Sequence, residues 1–472
     1  MLNFKTHHNL VALISESGER IHYSELDSLS YLFSSYFHDR KLIIVEVSNT
    51  PESIAGYAAL LSSKQPMMLI DKTTLAANYD RLIHLWQPAY GWMHKDSNFN
   101  GIQKTGVEFN QYCLFTLPSN NNSYTIHPEL ALLLATSGST GSGKMVRISY
   151  TNLLENTNSI LGFLPISHVD RTITTLSFQH AYGLSVVNTH LVVGASIIVS
   201  SRSMVEKEFW KLVRKFDITN LNGVPFHYAM MYKLNIDVHW IPSLRFMTQA
   251  GAGLPKEMQK VFAQICHTHG ARFYVMYGQT EATARIAILP SEYALTKLGS
   301  AGKAIPDVSV ELYSENGTVI RASEAVGEVM VKGKTIAMGY AESYADLAKP
   351  DHWNNCLATG DLGWFDRDGF LYISGRNSRI IKLTGRRFNL DEMTNHLQQF
   401  FAQYELVCTG SDDQLFVFCE RTIDLNRLSQ LVAQEFDLHP TFFRIIPVER
   451  IPRSENGKIL FHQLKTDANG EY

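Results

Sequence analysis

The sequence predicts an α/β protein built on doubly wound sheets. Short apolar runs rich in β-branched residues, such as Lys41-Leu42-Ile43-Ile44-Val45-Glu46-Val47 and Met67-Met68-Leu69-Ile70-Asp71, alternate with helical stretches. At 472 residues the chain is long enough for more than one domain. Glycine-rich turns follow several apolar runs, which is where an α/β sheet opens its ligand crevice.

Composition narrows the function classes. The chain is 45% hydrophobic and 18% charged, with a formal net charge of −3, so no global field favours nucleic acid or an anionic membrane. No apolar run reaches the roughly 18 residues of a spanning helix, and the start shows no signal-peptide pattern. Five scattered cysteines (Cys113, Cys266, Cys356, Cys408, Cys419) form no C-x-x-C pair, which fits reduced thiols and a cytoplasmic location.

In chain order, residues 18–26 read as a turn and short strand entering a helix, with Ser24 as its N-cap. After the strand at 41–47, Pro51 sits in the first turn of a helix rich in Ala and Leu. Residues 67–71 form the next parallel strand, and polar residues 98–122 read as an irregular connection. The run Leu130-Ala131-Leu132-Leu133-Leu134-Ala135 is a buried strand.

Directly after it stands Thr136-Ser137-Gly138-Ser139-Thr140-Gly141-Ser142-Gly143-Lys144. Glycines let backbone N–H groups turn inward around an anion, hydroxyls add donors, and the lysine adds a positive charge, a set suited to a polyphosphate. Gly138, Gly143 and Lys144 satisfy the P-loop spacing G-x-x-x-x-G-K. That motif requires Ser or Thr next and a helix opening there, whereas Met145 follows and residues 145–150 alternate like a strand. The P-loop stays the alternative.

A second motif, Tyr277-Gly278-Gln279-Thr280-Glu281, follows the apolar strand Arg272-Phe273-Tyr274-Val275-Met276. Tyrosine offers a face to a base, threonine a donor, and glutamate an oxygen ligand for a hard cation such as magnesium. Other segments, in order, are His180-Ala181-Tyr182-Gly183-Leu184, Met247-Thr248-Gln249-Ala250-Gly251-Ala252-Gly253-Leu254, Gly327-Glu328-Val329-Met330-Val331-Lys332-Gly333 with Met338-Gly339-Tyr340, Thr359-Gly360-Asp361, Gly375-Arg376 and Pro452-Arg453-Ser454-Glu455-Asn456-Gly457-Lys458.

This ordered set resembles the adenylate-forming (AMP-binding) superfamily, and within it the acyl-CoA synthetases and acyl- or aryl-acid ligases. The superfamily's loop pattern is T-S-G-[ST]-T-G-x-P-K, with Gly143 here in place of proline. The resemblance implies a large N-terminal domain (1–376) of doubly wound α/β subdomains plus a β-rich subdomain. It also implies a small mobile α+β domain (377–472) that carries the catalytic lysine. It assigns nucleotide contacts to Thr136, Ser137, Gly138, Ser139, Thr140, Gly141, Lys144, Gly251, Ala252, Tyr277, Gly278 and Gln279. Asp361 and Arg376 would take the ribose. Catalytic roles fall to Lys458, Thr280, Glu281 and, beside the acyl pocket, His180, with Glu281 also the magnesium ligand. Gly327–Gly333 and Met338–Tyr340 read as structural turns and strand. The hinge position holds Ser378 where Asp or Lys is usual, and Lys382, Arg386 and Arg387 line the implied thiol channel.

The implied reaction joins a small-molecule carboxylic acid to ATP with Mg2+, then transfers the acyl group to coenzyme A or to the phosphopantetheine of an acyl or peptidyl carrier protein. No Asp stands near 180 to pair with a substrate ammonium, so amino-acid adenylation for a carrier is the less favoured alternative. A degenerate, non-catalytic nucleotide-binding member is the other. Lys144, Glu281, Asp361 and Lys458 are all present, which favours turnover.

Overall fold

A computed structural model describes residues 2–118, 124–135, 144–236, 241–383, 386–411, 414–453, 459–461 and 463–464, without the side chain of Arg387. The chain divides into two compact units, one of Met1–Val310 with Val331–Leu357, the other of Glu311–Met330 with Ala358–Tyr472.

The first unit holds two large sheets. In the eight-stranded sheet, the strands Leu130–Ala135, Met67–Asp71, Ile43–Val47 and Tyr90–His94 run parallel, with antiparallel strands at both edges. In the nine-stranded sheet, Arg272–Tyr277, Phe246–Gln249, Asn220–Gly223, Arg171–Ile173, Ser196–Val199 and Val11–Ser15 run parallel. Strands buried on both faces read as continuous apolar runs.

One core joins the sheets through the helices Tyr23–Tyr36, Pro51–Ser62 and Ala181–Val193, with Leu13 and Ile197 from one sheet and Val45, Leu69 and Leu132 from the other. Further clusters cover the opposite faces, through the helix Lys72–Trp86 on the eight-stranded sheet and Ile160 of the helix Tyr150–Leu161 on the nine-stranded one. Within the shared core, Gly56 lies against the Trp92 indole, where an added Cβ would come 1.9 Å from Nε1. That indole N–H donates to the Glu52 carbonyl.

Most local expectations are met. The helix with Pro51 in its first turn opens there, with Thr50 as its cap. Two are corrected. The first helix starts at Tyr23 with His22 as cap, because Glu25 reaches back to the His22 N–H at 2.7 Å and closes the turn two residues earlier than Ser24 would. Residues 98–122 are not wholly irregular: Gln103–Phe109 and Tyr112–Thr116 pair antiparallel at the sheet edge. Charged residues on an edge strand hid the alternation.

A five-stranded sheet, most of whose residues belong to the second unit, contains Gly327–Lys332, Cys356–Phe365 and Leu371–Arg376. A three-stranded sheet (Leu406–Ser411, Gln414–Glu420, Phe443–Val448) packs with the helices Leu390–Phe400 and Leu425–Phe436 around Leu397, Val417, Leu428 and Val432. All five cysteines are free thiols. Among the described residues no helix is long and apolar enough to cross a membrane.

Candidate active site

The strand Leu130–Ala135 pairs antiparallel with Met145–Ser149, setting Ala135 opposite Met145. Thr136, Ser137, Gly138, Ser139, Thr140 and Gly141 lie between these strands and outside the described residues. Met145–Ser149 is a fully buried strand. A P-loop lysine opens a helix, so the P-loop alternative fails here.

Lys144 is half-buried, and its ammonium stands 3.8 Å from the centroid of the Tyr340 ring. Tyr340 arrives there because Tyr340–Ala341 adds antiparallel to Met145–Ser149, with Tyr340 opposite Val146. The buried Arg147 guanidinium fixes that approach by donating to the carbonyls of Met338 (2.8 Å), Pro350 (2.9 Å) and Lys349 (2.5 Å). From the other side, the Tyr340 hydroxyl donates to Glu281 Oε1 at 2.8 Å. The Ala337 N–H donates to the Glu281 carbonyl at 2.9 Å. The lysine of the first motif and the glutamate of the second thus meet on one tyrosine. Tyr340 was read from sequence as structural only; a Gly-Tyr dipeptide carries no signal of that contact.

Tyr277, Gly278, Gln279, Thr280 and Glu281 are all half-buried, at the end of Arg272–Tyr277 and in the short turn Thr280–Ala282. The chain then reverses through Thr283 (φ +58°) and Ala284 (φ +141°), sparsely populated conformations for non-glycine residues. The Thr283 hydroxyl donates to the Thr335 carbonyl at 2.7 Å and holds the reversal. Gly278 lies under it: an added Cβ would sit 1.7 Å from the Ala284 carbonyl oxygen. The glycine of this motif is therefore demanded by the turn itself.

His180 caps the helix Ala181–Val193, its Nε2 3.3 Å from Gln179 Nε2, and is half-buried. Gly251 (φ +95°) and Ala252 are exposed beyond the strand Phe246–Gln249, where the Gln249 amide donates to the Ala252 carbonyl at 2.7 Å. Behind them Tyr182, Val224, Ala250, Tyr274 and Met276 form an apolar cluster. The Tyr182 hydroxyl is fixed on Thr248.

Arg285, which sequence reasoning passed over, is 2% exposed beside this cluster, with its guanidinium 4.1 Å from the Tyr182 ring centroid. Its signal was a lone cation in the mostly apolar run Ala282–Leu289.

In the second unit, Asp361 and Arg376 face each other across paired strands, Arg376 Nε 3.2 Å from Asp361 Oδ1. Asp361 is buried and Arg376 exposed. Thr359–Asp361 lies inside a strand rather than a turn, with Gly360 at φ +71°. Ser378 is exposed in the short turn Asn377–Arg379, Lys382 is exposed, and Arg386 pairs with Asp437 at 3.1 Å. Lys458 lies outside the described residues.

Among the described residues no group of three or more His, Cys, Asp or Glu forms a metal cage. Magnesium needs no such cage, binding through one or two carboxylates together with substrate phosphates and water. Glu281, held at one oxygen by Tyr340, is a carboxylate of that kind.

The chain is 29% identical over 386 residues to the 2-succinylbenzoate–CoA ligase of Geobacillus sp. (strain WCH70), covering 78% of this chain and 73% of that one. It is 26% identical to the ligase of the same name from Bacillus subtilis (strain 168), covering 72% and 70%. The fold matches O-succinylbenzoate coenzyme A synthetase (MenE) from Bacillus subtilis in complex with ATP and magnesium ion (TM-score 0.77, 21% identity, 98% and 99% covered). It also matches ATP-bound MatB from Rhodopseudomonas palustris (TM-score 0.76, 18% identity, 97% and 95% covered). The family model described as AMP-binding enzyme spans residues 3–341, which takes in both motifs and the tyrosine that joins them, and the chain belongs to that family.

Proposed function

We propose that this AMP-binding enzyme activates a small carboxylic acid as its acyl-adenylate and then transfers the acyl group to the thiol of coenzyme A. In the first step a carboxylate oxygen attacks the α-phosphorus of ATP and pyrophosphate leaves. In the second the thiol sulfur attacks the acyl carbon and AMP leaves. The observation that carries this reading is the Lys144–Tyr340–Glu281 chain, a cation and a carboxylate set together beside a loop composed for polyphosphate.

Both reactants of the first step are anions, so the protein must offset charge and impose alignment. Lys144, Thr280 and the N–H groups of 136–141 serve the phosphates, with Lys458 completing the offset at the reacting centre. Such preorganised groups are each worth about 3 kcal/mol by removal. Glu281 would hold magnesium, which supplies further neutralisation of the phosphates. Gly251, Ala252 and Tyr277–Gln279 take the adenine side, Asp361 and Arg376 the ribose. His180 borders the acid. A carboxylate is already ionised near neutrality, so no general base is required.

We take residues 377–472, carrying Lys458, as the small domain that moves between the two steps. Coenzyme A stands ahead of a carrier's phosphopantetheine as acceptor, because the relatives are named CoA ligases. We assign the enzyme to the cytoplasm on its free thiols. The test is pyrophosphate release with a panel of acids, 2-succinylbenzoate first, with and without coenzyme A and with a phosphopantetheinylated carrier. Acid-dependent release accelerated by coenzyme A is expected. Acceleration by the carrier alone would transfer the reading to a carrier ligase, and no release with any acid would overturn it.

A further inference from the structure

Gln179 stands between two fixed groups. Its side-chain oxygen accepts the Asp71 N–H at 2.9 Å, and its side-chain nitrogen is 3.3 Å from His180 Nε2. Asp71 ends the strand Met67–Asp71 and caps the helix Lys72–Trp86, its Oδ1 accepting the Thr74 N–H at 2.8 Å. On the other side, the His180 N–H donates to the Ser177 carbonyl at 3.3 Å and closes the turn before Ala181–Val193. Gly183 packs on that carbonyl so closely that an added Cβ would lie 2.3 Å from its oxygen. Phe178, buried in the core shared by the two large sheets, anchors the same turn. The backbone that carries Gln179 and His180 is thus held in place.

These contacts leave one assignment of protons. A backbone N–H can only donate, so the oxygen of the Gln179 amide faces Asp71 and its NH2 faces His180. An NH2 can only donate, so His180 Nε2 accepts, and the proton of the neutral imidazole sits on Nδ1. A proton on Nε2 would set donor against donor. The amide cannot turn to relieve that without forfeiting the Asp71 N–H.

We propose that Gln179 is a positioning residue for the activation step, fixing His180 as a neutral imidazole with its proton on Nδ1. The proposal rests on the acid-activation reading above, in which His180 borders the acid. An imidazolium there would pair with the attacking carboxylate before reaction. That attraction weakens as the carboxylate oxygen shares its electrons with phosphorus. An interaction stronger in the ground state than in the transition state slows the step. A neutral ring keeps the carboxylate's charge available for the attack.

The first measurement is nitrogen-15 NMR of the full chain labelled at histidine, near neutral pH, with the His180 signals assigned by their loss in His180→Gln. Wild type is expected to show an unprotonated, pyridine-type Nε2 and a protonated, pyrrole-type Nδ1. Gln179→Glu is the matched variant. It keeps the size of the side chain and the acceptor for Asp71, and it turns the atom facing His180 from donor to acceptor. The Nε2 signal should then become that of a protonated nitrogen. In pyrophosphate release with 2-succinylbenzoate, kcat should fall by about 10-fold and KM for the acid should fall with it, the pattern of an added ground-state attraction. Simple structural damage would raise KM and lower Tm instead. A wild-type His180 protonated on Nε2 would overturn the proposal, as would a Gln179→Glu enzyme with wild-type kcat and KM. If neither 2-succinylbenzoate nor any other acid of the panel releases pyrophosphate, the activation reading fails. The ring signals then still decide whether Gln179 sets the tautomer of His180.

Discussion

The Tyr340 hydroxyl donates to Glu281 Oε1 at 2.8 Å while the face of the same ring carries the Lys144 ammonium, 3.8 Å from its centroid. The two contacts can be separated by mutation. Tyr340→Phe removes the hydrogen bond to the carboxylate and keeps the ring under the lysine. A hydrogen bond to a charged group contributes about 1.5–3 kcal/mol. Tyr340→Phe is therefore expected to lower kcat/KM for ATP about 10-fold and to raise the magnesium concentration for half-maximal pyrophosphate release. Superimposable magnesium titrations would remove Tyr340 from any role in setting Glu281.

Glu281→Ala should shift the same magnesium titration further than Tyr340→Phe, since it deletes the ligand rather than its orientation. If Glu281→Ala keeps the wild-type magnesium dependence, the metal is held elsewhere.

Lys458→Ala is expected to lower acyl-adenylate formation by about 100- to 1000-fold, the scale of one preorganised donor. ATP should still bind, measured by equilibrium titration. Unchanged adenylate formation would strip Lys458 of its catalytic role; loss of ATP binding would make it a nucleotide contact instead.

The sequence carried the sheets well, because strands buried on both faces read as nearly continuous apolar runs, as at 43–47, 67–71 and 130–135. It carried Tyr277–Glu281 because that segment is contiguous. It did not carry Tyr340 or Arg285, whose meaning lies in partners remote along the chain. Tyr340 touches residues 59 and 196 positions away, so neither contact leaves a local pattern. Arg285 sits in a mostly apolar run, and only its burial in the fold marks it. The edge pair 103–116 failed for another reason: polar side chains on an edge strand mimic a loop.

Gly56→Ala tests packing against propensity. In a helix interior the change to alanine ordinarily stabilises by roughly 0.5–1 kcal/mol. Here the new methyl would lie 1.9 Å from Trp92 Nε1, inside a fully buried indole that also donates to the Glu52 carbonyl. Overpacking of this kind costs about 1–3 kcal/mol, so the clash decides the sign. Thermal melting should show a lower Tm for Gly56→Ala. A raised Tm would mean that the helix and Trp92 part more easily than the packing implies.

Stability should also fall on the acid side, through histidines that the fold holds neutral. His227, in the helix Pro225–Lys233, accepts the Val224 N–H at Nδ1 (3.4 Å), and burial pushes its pKa from 6.5 down to about 4. The unfolded chain takes up that proton near pH 6.5 and the folded chain only near 4. The stabilising contribution is therefore complete above about pH 6.5 and is lost progressively as the pH drops towards 4, by at most about 3 kcal/mol. His190 acts in the same direction, since burial lowers its pKa against the opposing pull of Val186, Asp170 and Asn220. Melting at pH 7.5 and 5.0 should show a larger fall in Tm for wild type than for His227→Gln. The variant should keep a residual slope from His190. Equal slopes would mean that His227 takes up its proton in the folded protein as readily as in the unfolded chain.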